Sequence, residues 1–146
     1  MKRSIKSLAI LIKLKQREID ELVVKIASLE EQRLVFMGAI ADLRQQRKDE
    51  IVRYSSIDVV QYGVNFASYL DSLKLREDRL NLELKNIENR IQQEREVLFD
   101  HFAELKKFEQ AMKNRITKYE KDLEHKANAQ LDEFNTNKFL LEQNEE

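Results

Sequence analysis

Near the start of this chain apolar residues recur every seventh position through six heptads, and that recurrence leaves few folds open. One row reads Ile5, Ile12, Ile19, Ile26, Arg33 and Ile40; the other reads Leu8, Lys15, Leu22, Leu29, Phe36 and Leu43. Ten of the twelve positions are apolar, β-branched in one row and mostly leucine in the other, which is the pattern of a coiled-coil seam. After Leu43 the repeat fades into Arg44-Gln45-Gln46-Arg47-Lys48-Asp49-Glu50, which propensity and charge pairs still support as helix.

A second patterned segment starts near Ile57 or Asp58. Its rows are Phe66, Leu73, Leu80, Ile87, Glu94, His101, Phe108 and Leu70, Glu77, Leu84, Ile91, Leu98, Leu105, Met112, Tyr119. Beyond Leu98 the apolar positions drift towards Phe102, Ile116 and Leu123, as in a straight helix that no supercoiled partner holds. After Ala127 the pattern weakens, and Asn135-Thr136-Asn137 with Gln143-Asn144 suggests fraying.

Between the two segments, Tyr54-Ser55-Ser56-Ile57-Asp58 offers side chains that bond nearby backbone and favour caps and turns, with Ser55-x-x-Asp58 resembling a capping box. The expected fold is therefore all-α. Two long helices form an antiparallel coiled-coil hairpin, and the second is longer and overhangs the first. Residues 1–146 read as a single hairpin, with helix one at about 4–54, a turn at about 55–58 and helix two at about 59–140, spans of roughly 75 and 120 Å.

In an antiparallel pair, facing residues have a constant sum of numbers. A tight turn at Ser56 and Ile57 sets that sum at about 113, with Ile5 level with Phe108, Leu22 with Ile91 and Ile40 with Leu73. The same register brings Lys15 within a turn of Glu94 and Arg33 within a turn of Glu77. These either pair across the seam or snorkel separately to solvent.

No Pro, no Cys, no Trp and only two Gly occur, and 36% of residues are charged, a long-helix composition. Without cysteine there is no disulfide framework, Cys-based zinc site or thiol nucleophile. The run Leu8-Ala9-Ile10-Leu11-Ile12 is too short for a signal-peptide core or a membrane span, so the chain reads as cytoplasmic. It holds no Gly-rich phosphate loop and no nucleophile elbow, and reads as a non-enzyme with no cofactor. Asp122-x-x-His125 is one loose element where a bundle metal site needs two, so no metal is expected, and His101 reads as a polar seam residue. All six charged residues before Glu18 are basic, yet the chain as a whole is slightly acidic and has no aromatic platform beside them, so nucleic acid is not an expected partner. A basic amphipathic start could lie on an anionic membrane, but Ile5, Leu8 and Ile12 are in phase with the seam and read as core.

On this register residues from about Glu109 onward lack a partner within the chain. Met112, Ile116, Tyr119, Leu123, Leu131, Phe134 and Phe139 then make an apolar stripe on a lone helix, which calls for a partner surface, self-association or a fold-back.

Phe66-x-x-x-Leu70 soon after the turn, and the basic-rich stretch Lys107-Phe108-Glu109 through Asn114-Arg115 and Tyr119 to Leu131-Asp132-Glu133-Phe134 and Lys138-Phe139, are the more specific local features. With the length and the two unequal helices they make the chain resemble, over nearly its full length, the FliJ family of the flagellar type III export apparatus. Tyr62 precedes Phe66 by four residues where the family often shows three, and Asn135 replaces a commoner small residue. The resemblance implies a stalk similar to that of rotary ATPases. Its termini-bearing end inserts into a hexameric export ATPase, and its other end reaches the cytoplasmic domain of the export gate, a membrane protein. It further implies handling of export chaperones and a peripheral location at the cytoplasmic face of the inner membrane. Under it Tyr62, Phe66 and Leu70 are gate contacts at the hairpin tip. The ring contacts are Met112, Ile116, Tyr119, Leu123, Leu131 and Phe134, with the basic N-terminus beside them. The alternative reading is a self-associating coiled-coil scaffold.

Overall fold

A computed structural model describes residues 2–55 and 59–145, with side chains for all of these except 59–64. Among the described residues there are two α-helices and no strand: α1, Lys2–Tyr54, and α2, Val59–Glu145. They pack against each other as an antiparallel two-helix hairpin. Two compact units are formed, Met1–Glu18 with His101–Glu146, and Ile19–Asp100.

In the first unit Leu8 is buried, and Ile5, Ile12 and Lys15 are half-buried. On α2 of that unit the half-buried positions include His101, Leu105, Phe108, Met112, Ile116 and Tyr119. In the second unit Ile19, Leu29, Ile40, Leu73, Ile87 and Ile91 are buried. Leu29 packs with Ile87 and Ile91, and Phe36 leans on the three. All twelve predicted seam positions of α1 are buried or half-buried. No large side chain among the described residues is wholly enclosed, as befits a layer only two helices thick.

The register differs from the one expected. In the first unit Ser4 meets Arg115 and Lys15 meets Glu104. In the second, Lys25 meets Glu94, Arg44 meets Glu77 and Tyr54 meets Phe66. Facing numbers therefore sum to about 120, one heptad beyond 113. Of the two alternatives open for these side chains, direct pairing of Lys15 with Glu94 and of Arg33 with Glu77 does not occur. Lys15 pairs with Glu104 and Glu18, and Glu94 with Lys25; Arg33 pairs with Glu30, and Glu77 with Arg44 and Arg47. A shift of seven leaves every apolar row facing an apolar row, so the flanking ions and end aromatics choose between registers.

Two further expectations change. The strict repeat on α2 continues through Leu105, Phe108, Met112 and Tyr119 while Phe102 stays 44% exposed, because α1 still covers that seam. α2 does not fray at Asn135–Asn137 but runs on to Glu145, with the Thr136 hydroxyl donating to the Asp132 carbonyl at 2.9 Å. Ser55 closes the end of α1: its N–H donates to the Ile51 carbonyl (3.0 Å) and its hydroxyl to that of Val52 (2.7 Å), occupying carbonyls left open at a helix end, while Asp58, its partner in the expected capping box, lies outside the described residues. Ser56, Ile57 and Asp58, the expected centre of the turn, lie outside the described residues.

Candidate functional site

Three features stand out, two aromatic or apolar and one charged. In the second unit, the Tyr54 and Phe66 rings lie 4.5 Å apart between centroids at a 34° tilt. The aromatic pair exists because α1 and α2 each place a ring at the level where the heptad rows end. With Asn65 and Tyr69 these rings line a shallow pocket of about 140 Å³. Gln46 Nε2 donates to the Tyr69 hydroxyl at 2.9 Å, orienting that ring from α1. Leu70, one turn on from Phe66, is half-buried, as Phe66 is. The side chain of Tyr62 lies outside the described residues.

The second surface is on the first unit. Of the seven residues expected to form an unpartnered stripe, Met112, Ile116 and Tyr119 are half-buried along the seam, one consequence of the shifted register. Leu123, Leu131 and Phe134 are 48%, 57% and 63% exposed, and every residue from Glu120 to Glu145 is exposed. Leu123, Phe134 and Leu141 recur at helical spacing and share a face, to which Ala127 also belongs. The segment carries seven acids against three lysines, opposite in sign to the six bases and no acid of residues 2–17.

The third feature is polar: ion pairs interrupt the seam separately in each unit, around Lys15 in the first and around Glu77 in the second. Lys15 Nζ lies 2.6 Å from Glu104, 3.0 Å from Glu18 and 2.9 Å from His101 Nδ1. An ammonium only donates, so in this bond His101 Nδ1 is the acceptor. Hydrogen bonds to Glu104 and then Glu18 hold the Lys15 pKa above 10.5, and the bond from Lys15 holds that of Glu104 below 4.5. Glu77, only 4% exposed, accepts from Arg44 Nε at 2.7 Å and has Arg47 Nη1 at 3.5 Å. The Arg44 bond pulls its pKa below 4.5, against a smaller opposing effect of burial in this thin layer.

These shifts make the contributions of Glu77 and Lys15 to stability depend on pH. The unfolded Glu77 carboxyl takes a proton near 4.5 and the folded one only lower, so its stabilisation is present above 4.5 and is lost as pH falls through the folded value. For Lys15 the stabilisation is present below 10.5 and is lost as pH rises through the raised value. Thermal melts of Glu77→Gln are therefore expected to drop less between about pH 6 and about pH 3 than those of the natural chain. An equal drop in both would show that Glu77 does not contribute to the loss of stability in acid.

Among the described residues no cluster of His, Cys, Asp or Glu is placed to hold a metal, and no helix is long and apolar enough to cross a membrane. The family model described as "Flagellar FliJ protein" matches residues 4–144. The chain belongs to the FliJ family. Comparison with curated proteins and with solved structures found no match. Membership gives this FliJ-family chain a role connected with flagellar export. Two features of it escape sequence reading, Tyr54 as an aromatic partner and Tyr69 with its Gln46 bond. Tyr54 reads in the sequence only as part of a turn, and its pairing with Phe66 emerges once the rows are slid by one heptad.

Proposed function

We propose that this FliJ-family chain is a non-catalytic stalk and adaptor of flagellar type III protein export. It works at the cytoplasmic face of the inner-membrane export apparatus. The α2 segment 120–145 inserts into the export ATPase hexamer through Leu123, Leu131 and Phe134, with Met112, Ile116 and Tyr119 at the base of that segment. The Phe66 and Leu70 surface, joined by Tyr54, meets the cytoplasmic domain of the export gate, with Tyr62 as a further contact, and the same stalk handles export chaperones. The supporting observation is that α2 continues from Glu120 to Glu145 with every residue exposed and an apolar face that no described residue covers. A lone helix of this kind is stabilised by packing against something else, and an exposed apolar face marks where.

The gate contact has its own test. Phe66→Ala combined with Leu70→Ala removes two apolar anchors from the aromatic surface and is expected to weaken binding to the isolated gate domain by about tenfold or more. Circular dichroism should show helicity retained. Unchanged affinity would remove the tip assignment. Sedimentation over a range of micromolar concentrations distinguishes stalk from scaffold: the stalk stays monomeric, and mass growing with concentration would favour self-assembly through the overhang.

A further inference from the structure

At its start α1 carries apolar side chains on two opposite faces. Ile5, Leu8 and Ile12 turn to the seam and are buried or half-buried. Ile10 and Leu14 point the other way, one turn apart, and are 60% and 50% exposed. The seam makes no use of this second pair. Around it stand Arg3, Lys6, Lys13 and Arg17, all exposed, and no acid occurs before Glu18. These six side chains fall within an arc of about 100° on the helix. From α2, Arg115 donates to the Ser4 hydroxyl at the flank of the seam.

We infer that the outer face of α1 from Arg3 to Arg17 docks on an anionic lipid bilayer. Ile10 and Leu14 enter the boundary between headgroups and acyl chains, and Arg3, Lys6, Lys13 and Arg17 reach lipid phosphates with their stems lying along the apolar layer. The charge distribution argues for an anionic occupant: Glu104 and Glu18 neutralise Lys15 at the seam, whereas Arg3, Lys6, Lys13 and Arg17 share the outer face with no acid of residues 2–17 among them, within a Debye length of whatever that face touches. The apolar pair argues for a bilayer over an acidic protein, because two exposed aliphatic side chains between cations are what interfacial insertion uses. The helix is already formed by its seam, so docking requires no folding of a disordered segment. This face is separate from the 120–145 segment proposed to enter the ATPase ring, and the inference does not depend on that reading.

The test is co-sedimentation of the full chain with phosphatidylcholine vesicles containing about one-third phosphatidylglycerol. Binding is expected to fall by about tenfold or more on pure phosphatidylcholine vesicles or in high salt. Ile10→Ser with Leu14→Ser, which leaves all charges in place, is expected to weaken binding by about tenfold with helicity unchanged. Lys6→Gln with Lys13→Gln gives an independent loss of similar size with the apolar pair intact. Absence of binding to the anionic vesicles would overturn the inference. So would full binding by the Ile10→Ser, Leu14→Ser variant, or capture by soluble polyglutamate without binding to vesicles, which would point to an acidic protein instead.

Discussion

Leu29→Asp is expected to lower the melting temperature by about 10 °C or more, and Val35→Asp to leave it within about 2 °C of the natural chain. The two positions are six residues apart on one helix and differ in what they face. Leu29 is 3% exposed against Ile87 and Ile91, with Phe36 alongside, whereas Val35 is 70% exposed on the outer surface of α1. Full burial of a leucine contributes about 1.5–3 kcal/mol, and a carboxylate placed there adds the cost of burying an unpaired charge. The combined loss is about 4 kcal/mol or more, a large part of the 5–15 kcal/mol that holds a domain of this kind together. At Val35 the carboxylate stays in water and only helix propensity changes, by a few tenths of a kcal/mol. Thermal melts followed at 222 nm decide the matter. Equal melting temperatures for the two variants would mean that the Leu29 row is not the seam.

The seam was legible because a seven-residue repeat is a physical signal that one sequence can carry alone. Every position from Ile5 to Leu43 in the two rows is covered, including the polar exceptions Lys15 and Arg33. The register was not legible by the same route, since sliding the rows by seven still sets Ile and Leu against Ile and Leu. What separates one register from the next is a few contacts beside the seam: Lys25 with Glu94, Arg95 with Glu30, Arg44 with Glu77, and the Tyr54–Phe66 rings. Reading the turn from its serines favoured the wrong heptad, and the near match of Lys15 with Glu94 reinforced that choice. Of the candidate surfaces, the exposed stripe at Leu123, Leu131 and Phe134 was legible from spacing. Met112, Ile116 and Tyr119 came out half-buried because the extra heptad of pairing reaches them. The outer pair Ile10 and Leu14 went unread, since in sequence it is hidden inside the apolar run Leu8 to Ile12 and its flank, and only the seam's orientation separates the two faces.

The second large effect concerns what the overhang is for. Leu123, Leu131 and Phe134 are large, exposed and unopposed, and interfaces concentrate their affinity in a few such anchors at about 1–2 kcal/mol or more each. Removing residues 120–146 removes all three while leaving the seam of both units, which ends at Tyr119, untouched. Melting temperature and helicity per residue are thus expected to stay close to those of the full chain. Affinity for the export ATPase hexamer is expected to fall about a hundredfold or more. A finer variant, Leu123→Ser with Leu131→Ser and Phe134→Ser, keeps the length of α2 and isolates the apolar face from mere reach.

The most direct measurement is a titration of labelled full-length chain and of the 1–119 truncation against the assembled export ATPase hexamer, followed by fluorescence anisotropy. The stalk account predicts saturable binding of one full-length chain per hexamer and loss of that binding in the truncation. Equal affinity of the two proteins would contradict it.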